Sequence, residues 1–195
     1  MSKKILAKYR IPSTRLQNWN YGWNAAYFVT ICTQNHKCYL GNIAETQDLP
    51  SLPEMVLSDV GKIANQYWNE SPNHFPFVEL GEFVIMPNHV HGIIIINKKN
   101  AQNDDIYGDA NVVTQNFASL LQQKQQQNKF GPQSKNLASI IRGYKSGVKK
   151  YATMNHIDFA WQPRYHDHII RDNKSFQHIS NYILNNPLNW HEYNL

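Results

Sequence analysis

The sequence predicts an α+β fold, in which an antiparallel sheet carries helices in the order of a split βαβ unit. Two short apolar runs at 83–86 and 93–96 are free of charge, and the second is four consecutive isoleucines, which is typical of buried strands. Pro87 and Asn88 between them favour a tight turn, because proline fixes φ and asparagine tolerates the left-handed region. Stretches with helical apolar spacing lie before and after this pair, so strands and helices are mixed along the chain.

Each predicted element has a local signal. Gly81 marks a bulge in its strand, Ser58 is a helix N-cap, and Pro187 ends the last helix because the residue before a proline avoids helical geometry. In chain order we predict a strand at 25–33, a loop at 41–56, a helix opening at Ser58, strands at 77–86 and 89–96, a basic helix at 136–150, a strand at 165–171 and a helix at 176–186. The core side of the last helix is assigned to Phe176, Ile179, Ile183 and Leu184.

Residues 97–135 interrupt this pattern. They are rich in glutamine and asparagine, including the run at 122–128, and have few apolar anchors. Such a composition buries too little apolar surface to offset the entropy lost on ordering. We predict a mobile insertion at 97–135, with at most a short helix near 117–125, in a chain that otherwise forms one domain over residues 1–195.

Basic residues are concentrated in two blocks. Residues 1–44 and 110–157 contain lysine and arginine but no aspartate or glutamate, and the net charge is +5. This distribution indicates a polyanionic partner, with a solvated basic surface as the alternative. The sequence has no run of 18 apolar residues and no signal peptide pattern, so we expect no membrane segment and a cytoplasmic, nucleoid-associated location. Cys32 and Cys38 are interpreted as ordinary thiols.

Two histidines open the isoleucine-rich strand. Since residues i and i+2 of a strand point to the same face, His89 and His91 are expected to project side by side, with Val90 facing the other way. Two neutral imidazoles in this arrangement can bind one metal ion. The alternative is two hydrogen-bonded polar residues at a strand end, although unpartnered polar side chains are costly within an apolar strand.

Three motifs in order resemble a known family. Residues 86–91 read Met-Pro-Asn-His-Val-His, residues 161–171 read Trp-Gln-Pro-Arg-Tyr-His-Asp-His-Ile-Ile-Arg, and residues 182–187 read Tyr-Ile-Leu-Asn-Asn-Pro. Together they resemble the HUH-type single-strand Y1 transposases, and within these the REP-associated tyrosine transposase branch. The resemblance covers about residues 25–190 and implies a ferredoxin-like fold with the histidines on its central strand. Members of the family bind imperfect DNA hairpins and cleave beside them as single strands.

The resemblance also implies the roles of individual residues. Tyr182 matches the nucleophile on a C-terminal helix, and His89, His91 and Asn186 match the ligands of Mg²⁺ or Mn²⁺. Many members have glutamine where this chain has the shorter Asn186. The chemistry suits these residue types, because a tyrosine hydroxyl can attack phosphorus to give a phosphotyrosine and a free 3′-OH, and the step is reversible.

Two other tyrosines are alternative nucleophiles. Tyr144 shares the apolar stripe of the basic helix and is expected to point into the core, whereas Tyr165 lies on the short strand. Tyr182 differs from both because an amide, Asn186, follows it one helical turn later.

The basic helix is the predicted DNA contact. Arg142, Lys145 and Lys149 lie outside its apolar stripe and, together with Arg164 and Arg171, are predicted to contact DNA phosphates. The resemblance, together with these residues, implies a metal-dependent single-strand DNA transposase or nickase, acting on hairpin-containing DNA as a monomer or homodimer. A catalytically silent hairpin or single-strand nucleic-acid-binding protein is the alternative, and a metal-dependent hydrolase of small substrates is a weaker one. The roles of the neighbouring His166, Asp167 and His168 are left open.

Overall fold

The structure is a computed structural model that describes residues 16, 19–44, 54–98 and 134–190. In chain order its helices and strands are β1 (Ala25–Cys32), β2 (Gly41–Ala44), β3 (Glu54–Leu57), α1 (Asp59–Asn69), α2 (Ser71–His74), β4 (Val78–Met86), β5 (His89–Ile96), α3 (Leu137–Met154), β6 (His166–Ile170) and α4 (Asn173–Leu184). Short 3₁₀ turns occupy Gln34–His36 and Pro187–Asn189.

Four strands form the main sheet in the order β4-β5-β1-β6, and every neighbouring pair is antiparallel. The β4–β5 hairpin turns at Pro87 and Asn88, and its register shifts between Leu80 and Phe83, which confirms the bulge expected at Gly81. The helical connections from β1 to β4 and from β5 to β6 each pass over one strand of the sheet. The two central strands are β1 and β5. This is the ferredoxin-like arrangement, and the predicted fold class is confirmed.

The sheet buries both of its faces. On one face, alternate residues of β1 such as Tyr27, Val29 and Ile31 pack in the large core with residues of α1 and α3. On the other face a smaller cluster combines Ile93 and Ile95 with α4 and neighbouring strands. The isoleucine run of β5 is therefore continuous because both sides of this strand are covered.

The helix starts follow capping chemistry. The Ser58 side chain accepts a hydrogen bond from the Gly61 amide at 3.0 Å, as predicted, and Asn136 forms a capping box with Ser139 at the start of α3. Asp172 accepts from the Ser175 amide at 2.7 Å and fixes the beginning of α4. These caps fix where α1, α3 and α4 begin.

Two sequence predictions are wrong. The segment 41–56 is not all loop, because β2 and β3 pair antiparallel from Gly41 opposite Leu57 to Ala44 opposite Glu54. These strands are short and no described residue in them is fully buried, so no long apolar run marks them. Leu184 is 57% exposed rather than part of the core, because Ile183 takes the inward position in the last turn of α4.

The predicted insertion at 97–135 lies largely outside the described residues, since 99–133 are not among them. Its first two residues are tied to the sheet. Asn97 donates its amide to the Phe77 carbonyl at 2.8 Å, and the Lys98 amide donates to Asn24 Oδ1 at 3.1 Å. Within the described ranges, no helix has the length and apolar character needed to cross a bilayer.

Gly92 is required by the packing of β5 against Trp68. A Cβ at this position would overlap the Trp68 ring, which is itself fully buried. We expect Gly92→Ala to destabilise the fold by about 1–3 kcal/mol, the usual range for overpacking a core. Urea unfolding measures this loss. Gly143→Ala is the matched control, because its Cβ would only reach ordinary contact with Phe75 and a helical glycine is replaced by a better helix former. Equal stability of Gly92→Ala and the parent chain would contradict this packing.

Candidate metal and nucleophile site

His89 and His91 lie side by side on the α4 face of the sheet. Their ring centroids are 4.4 Å apart, and across the strand pair His91 lies opposite Thr30 and His89 opposite Cys32. Val90, between them, is buried in the core on the other face, as predicted. The strand alternation thus brings two imidazoles to one point at the beginning of a central strand.

Hydrogen bonds orient both imidazoles. Nδ1 of His89 lies 2.7 Å from Asn88 Oδ1, and since an amide oxygen only accepts, this nitrogen is the donor. Nδ1 of His91 lies 2.9 Å from the Thr30 hydroxyl. A neutral His89 held in this way has its lone pair on Nε2, and the same tautomer of His91 donates to Thr30. This is the arrangement that metal-binding histidines adopt in proteins.

Burial keeps the two imidazoles neutral. It lowers the pKa of His89 to about 4 and that of His91 to about 3, and the nearby His89 and His166 lower the pKa of His91 further. The Asn186 side chain near His89 acts in the opposite direction on that residue's pKa. Both histidines are therefore unprotonated at neutral pH, which is the state that coordinates a metal ion.

One ring nitrogen of His89 is in a position to accept a ligand. Its Nε2 atom is buried and has no hydrogen-bond partner among the described residues, although the buried Asn186 side chain approaches the ring. A buried polar atom without a partner is costly unless a ligand satisfies it. The part of the chain that the structure describes contains no group of three His, Cys, Asp or Glu side chains placed to hold a metal. The donors that fit an ion here are two imidazoles and one amide oxygen.

Tyr182 reaches this histidine pair from α4. Its hydroxyl lies 3.4 Å from Nε2 of His91, and the two ring centroids are 5.4 Å apart. The Phe28 ring of β1 stands between sheet and helix, at 5.2 Å from the His91 ring and 6.2 Å from the Tyr182 ring. Tyr182 is 48% exposed, so part of its side chain is accessible from solvent.

The two alternative tyrosines are placed elsewhere. Tyr144 is buried in the core between Trp68 and Trp161, where burial raises the pKa of its hydroxyl. Tyr165 packs against the same large core, on the sheet face away from α4. Of the three tyrosines that the sequence singles out, only Tyr182 lies beside the histidine pair.

The predicted DNA-contacting residues fall into two groups. Arg142, Arg164 and Arg171 are exposed. Lys145 instead donates to the carbonyls of Gln162 at 2.6 Å and Arg164 at 2.8 Å, and Lys149 donates to the Phe159 carbonyl at 2.5 Å. The two lysines thus brace the segment 159–164 against α3, a role that the helical stripe alone did not reveal. Burial also lowers the pKa of Lys145.

The buried histidines make stability depend on pH. Unfolded histidines accept protons below about pH 6.5, whereas His89 and His91 in the fold do so only near pH 4 and 3. The unfolded chain therefore takes up protons at these histidines before the folded chain does. As the pH falls below 6.5, the free energy of unfolding decreases by about 1.4 kcal/mol per pH unit for each histidine. Urea unfolding in EDTA between pH 7 and pH 4.5 measures it. We expect a flatter pH dependence in His91→Gln, with His74→Gln of α2 as an exposed control. Identical slopes in both variants would contradict the burial of a neutral His91.

Comparison with known proteins identifies a relative. No family model matches the chain. A protein of Haemophilus influenzae (strain Rd), described as an uncharacterized protein, is 40% identical over 181 residues, which are 92% of this chain and 89% of the relative. The chain belongs to the family of this Haemophilus protein. The relative's description assigns no activity, so the function has to be argued from the site.

A solved structure has the same fold. The REP-associated tyrosine transposase bound to a REP hairpin matches with a TM-score of 0.54 and 18% identity, over 91% of this chain and 73% of the transposase. At this identity the likeness is one of fold. The resemblance that the three sequence motifs indicate is thereby confirmed at the level of the fold.

Proposed function

We propose that the chain is a metal-dependent single-strand DNA transposase or nickase, which cleaves and rejoins DNA next to hairpins through a covalent phosphotyrosine. The observation that carries this proposal is the 3.4 Å separation between the Tyr182 hydroxyl and Nε2 of His91. The Tyr182 hydroxyl, the neutral histidine pair and the buried Asn186 come together there from α4, β5 and the turn that follows α4. The shared fold with the REP-associated tyrosine transposase supports it.

The metal ligands in this proposal are His89, His91 and Asn186. The hard amide oxygen of Asn186 suits Mn²⁺ or Mg²⁺, and the proposed ligand set contains no cysteine, the ligand typical of structural zinc sites. Such an ion, when bound, offsets the negative charge of a phosphodiester and so makes its phosphorus easier to attack. The unpartnered Nε2 atom of His89 is the observation that favours a ligand at this position.

The chemical step belongs to Tyr182. Its oxygen forms a bond to phosphorus as the bond from phosphorus to the 3′ oxygen breaks, which leaves a 5′ phosphotyrosine and a free 3′-OH. The tyrosine hydroxyl loses one proton and the leaving oxygen gains one, so no net proton is consumed. Attack by a 3′-OH on the phosphotyrosine reverses the step and joins strands without a further energy source.

The partner in this proposal is single-stranded DNA with hairpins. The exposed Arg142, Arg164 and Arg171 are the proposed phosphate contacts. Lys145 and Lys149 hold the segment that carries Arg164, so their proposed contribution is to orient this arginine as well as to add positive charge. The cytoplasmic, nucleoid-associated location and the choice between monomer and homodimer stay predictions.

Replacing an arginine tests the proposed DNA face. We expect Arg142→Gln to weaken binding to all hairpin sequences alike and to reduce the slope of log affinity against log salt by about 0.7–0.9, the value for one lost phosphate contact. Fluorescence anisotropy at several salt concentrations measures it. Lys62→Gln is the matched control, because this lysine forms a surface ion pair with Asp59 on α1. An unchanged slope for Arg142→Gln would show a solvated face instead.

A nicking assay separates the proposal from its alternative. Labelled hairpin DNA with single-stranded flanks is incubated with the chain in Mn²⁺ or Mg²⁺, with EDTA as the control. We expect metal-dependent nicks and a DNA adduct that survives denaturation. Tight hairpin binding without any nick would instead favour a catalytically silent nucleic-acid-binding protein.

A further inference from the structure

A cavity lies near Tyr182, on the α4 face of the sheet. Its volume is about 320 Å³, and it is lined by Phe28, His166, His168, Ser175, His178 and Ile179. These residues come from β1, β6 and α4, so the cavity occupies the gap between the sheet and the nucleophile helix. Its size lies at the lower end of the range of small-molecule pockets, about 300–1,000 Å³.

The cavity has apolar walls and polar groups among its lining. Phe28 and Ile179 pack against the small apolar cluster of this face and supply the flat hydrophobic surface. His166 and His168 project from alternate positions of β6, where His168 lies opposite Phe28 and His166 opposite Thr30. His178 approaches from α4. Imidazoles supply both hydrogen-bond donors and acceptors, and the Ser175 hydroxyl already bonds Asp172.

This cavity adjoins the candidate nucleophile site through Phe28 and His178. Phe28 is shared, since its ring lies against both His91 and Tyr182. His178 precedes Tyr182 by one helical turn, so the two side chains lie on the same side of α4. A group that fills the cavity would therefore lie against Phe28 and within one helical turn of Tyr182.

We propose that the cavity binds one nucleobase of the DNA strand that is cut, next to the phosphate that Tyr182 attacks. This inference rests on the proposed function. A base has two apolar faces and a polar edge, which match a Phe28 and Ile179 wall and a set of three imidazoles. A metal ion fits less well, because the described His, Cys, Asp and Glu side chains form no group of three placed to hold one. Bound there, a base gives the chain sequence preference at one position beside the cut.

Nucleotide titrations test the pocket without any cleavage. The imidazole signals of the full-length chain are followed by NMR while each deoxynucleoside 5′-monophosphate is added, with deoxyribose 5-phosphate as the probe that lacks a base. We expect the signals of His166, His168 and His178 to move with at least one nucleotide and not with the sugar phosphate. No movement, or equal movement with deoxyribose 5-phosphate, would overturn the base pocket.

Two variants localise the effect. His178→Trp fills the cavity from an exposed position, and Phe28→Leu removes the aromatic face, so each should weaken nucleotide binding by about tenfold. Gln177→Trp is the matched control, since Gln177 is exposed on α4 and does not line the cavity. Unchanged nucleotide affinity in both cavity variants would also overturn the proposal.

Cleavage of a hairpin library distinguishes this inference from the proposed function. The library is randomised on both sides of the cut, and the products are sequenced. We expect the parent chain to prefer particular bases at one position next to the cut, and we expect the products of His178→Trp to lack that preference at whatever rate this variant cuts. Products that show no base preference at any position next to the cut would contradict the base pocket but not the proposed nuclease activity. Absence of products from the parent chain would sink the proposed function, and the NMR titration would then decide the pocket by itself.

Discussion

Tyr182→Phe should bind hairpin DNA as tightly as the parent chain and form no covalent DNA adduct. The substitution removes one hydroxyl from a ring that is 48% exposed, so the core is unchanged and His91 loses only the 3.4 Å contact at its Nε2 atom. Because the nucleophilic oxygen is lost, we expect strand cleavage to fall by roughly a thousandfold or more. Denaturing gels of labelled DNA measure the adduct and the nick together.

Tyr151→Phe is the matched control for this experiment. Tyr151 lies on α3, which packs on the opposite face of the sheet from Tyr182. This variant should cleave at the parent rate. An adduct that persists at normal yield in Tyr182→Phe would assign the nucleophile to another tyrosine and remove the main support for the proposed mechanism.

His91→Ala should abolish metal-dependent cleavage while leaving hairpin binding largely intact. It removes one imidazole of the pair whose rings are 4.4 Å apart. We expect Mn²⁺ affinity, measured by titration calorimetry or electron paramagnetic resonance, to fall by more than about a hundredfold, because even partners outside the ligand shell cost 10- to 100-fold. His89→Ala should behave in the same way.

The exposed His74 of α2 supplies the control for the histidine variants. His74→Ala should bind metal and cleave like the parent chain. If His89→Ala and His91→Ala both cut normally in Mg²⁺ or Mn²⁺, the pair is a hydrogen-bonded structural feature and the metal assignment is wrong.

Local sequence signals were sufficient for most of the fold. The isoleucine run, the Pro87-Asn88 turn and the Ser58 cap each predict an element that the structure contains. The β2–β3 pair was missed because its strands are four residues long and no described residue in them is fully buried, so no apolar run distinguishes them from a loop. The prediction for Leu184 is wrong because helical spacing identifies an apolar stripe on α4 but does not show how many residues of that stripe the sheet covers.

The candidate site was partly readable from the sequence. The spacing of His89 and His91 predicts their common face, and the resemblance places Tyr182 beside them. Phe28 and Thr30 could not be found in this way, because their contacts with His91 depend on the cross-strand register of β1 and β5. Asn88, which accepts a hydrogen bond from His89, could be found from the sequence, because it directly precedes His89 in the first motif.

The position of a residue on a helix also does not predict which group its long side chain contacts. Lys145 and Lys149 were assigned to a DNA face because they lie outside the apolar stripe of α3. In the structure their long side chains reach back to the carbonyls of the segment 159–164, and their contact with DNA stays a prediction. A lysine on a polar face has several donors on a flexible stem, so its partner is fixed by the loop that passes near it rather than by its position on the helix.

Mapping the DNA adduct tests the central claim most directly. The parent chain is trapped on hairpin DNA with Mn²⁺, digested with nuclease and trypsin, and sequenced by mass spectrometry. The expected modified peptide begins at Ser175, after Lys174, and also contains Tyr193, so fragmentation must separate the two tyrosines. We predict that the nucleotide mass lies on Tyr182. A nucleotide on Tyr144, Tyr165 or Tyr193 would contradict the proposed nucleophile.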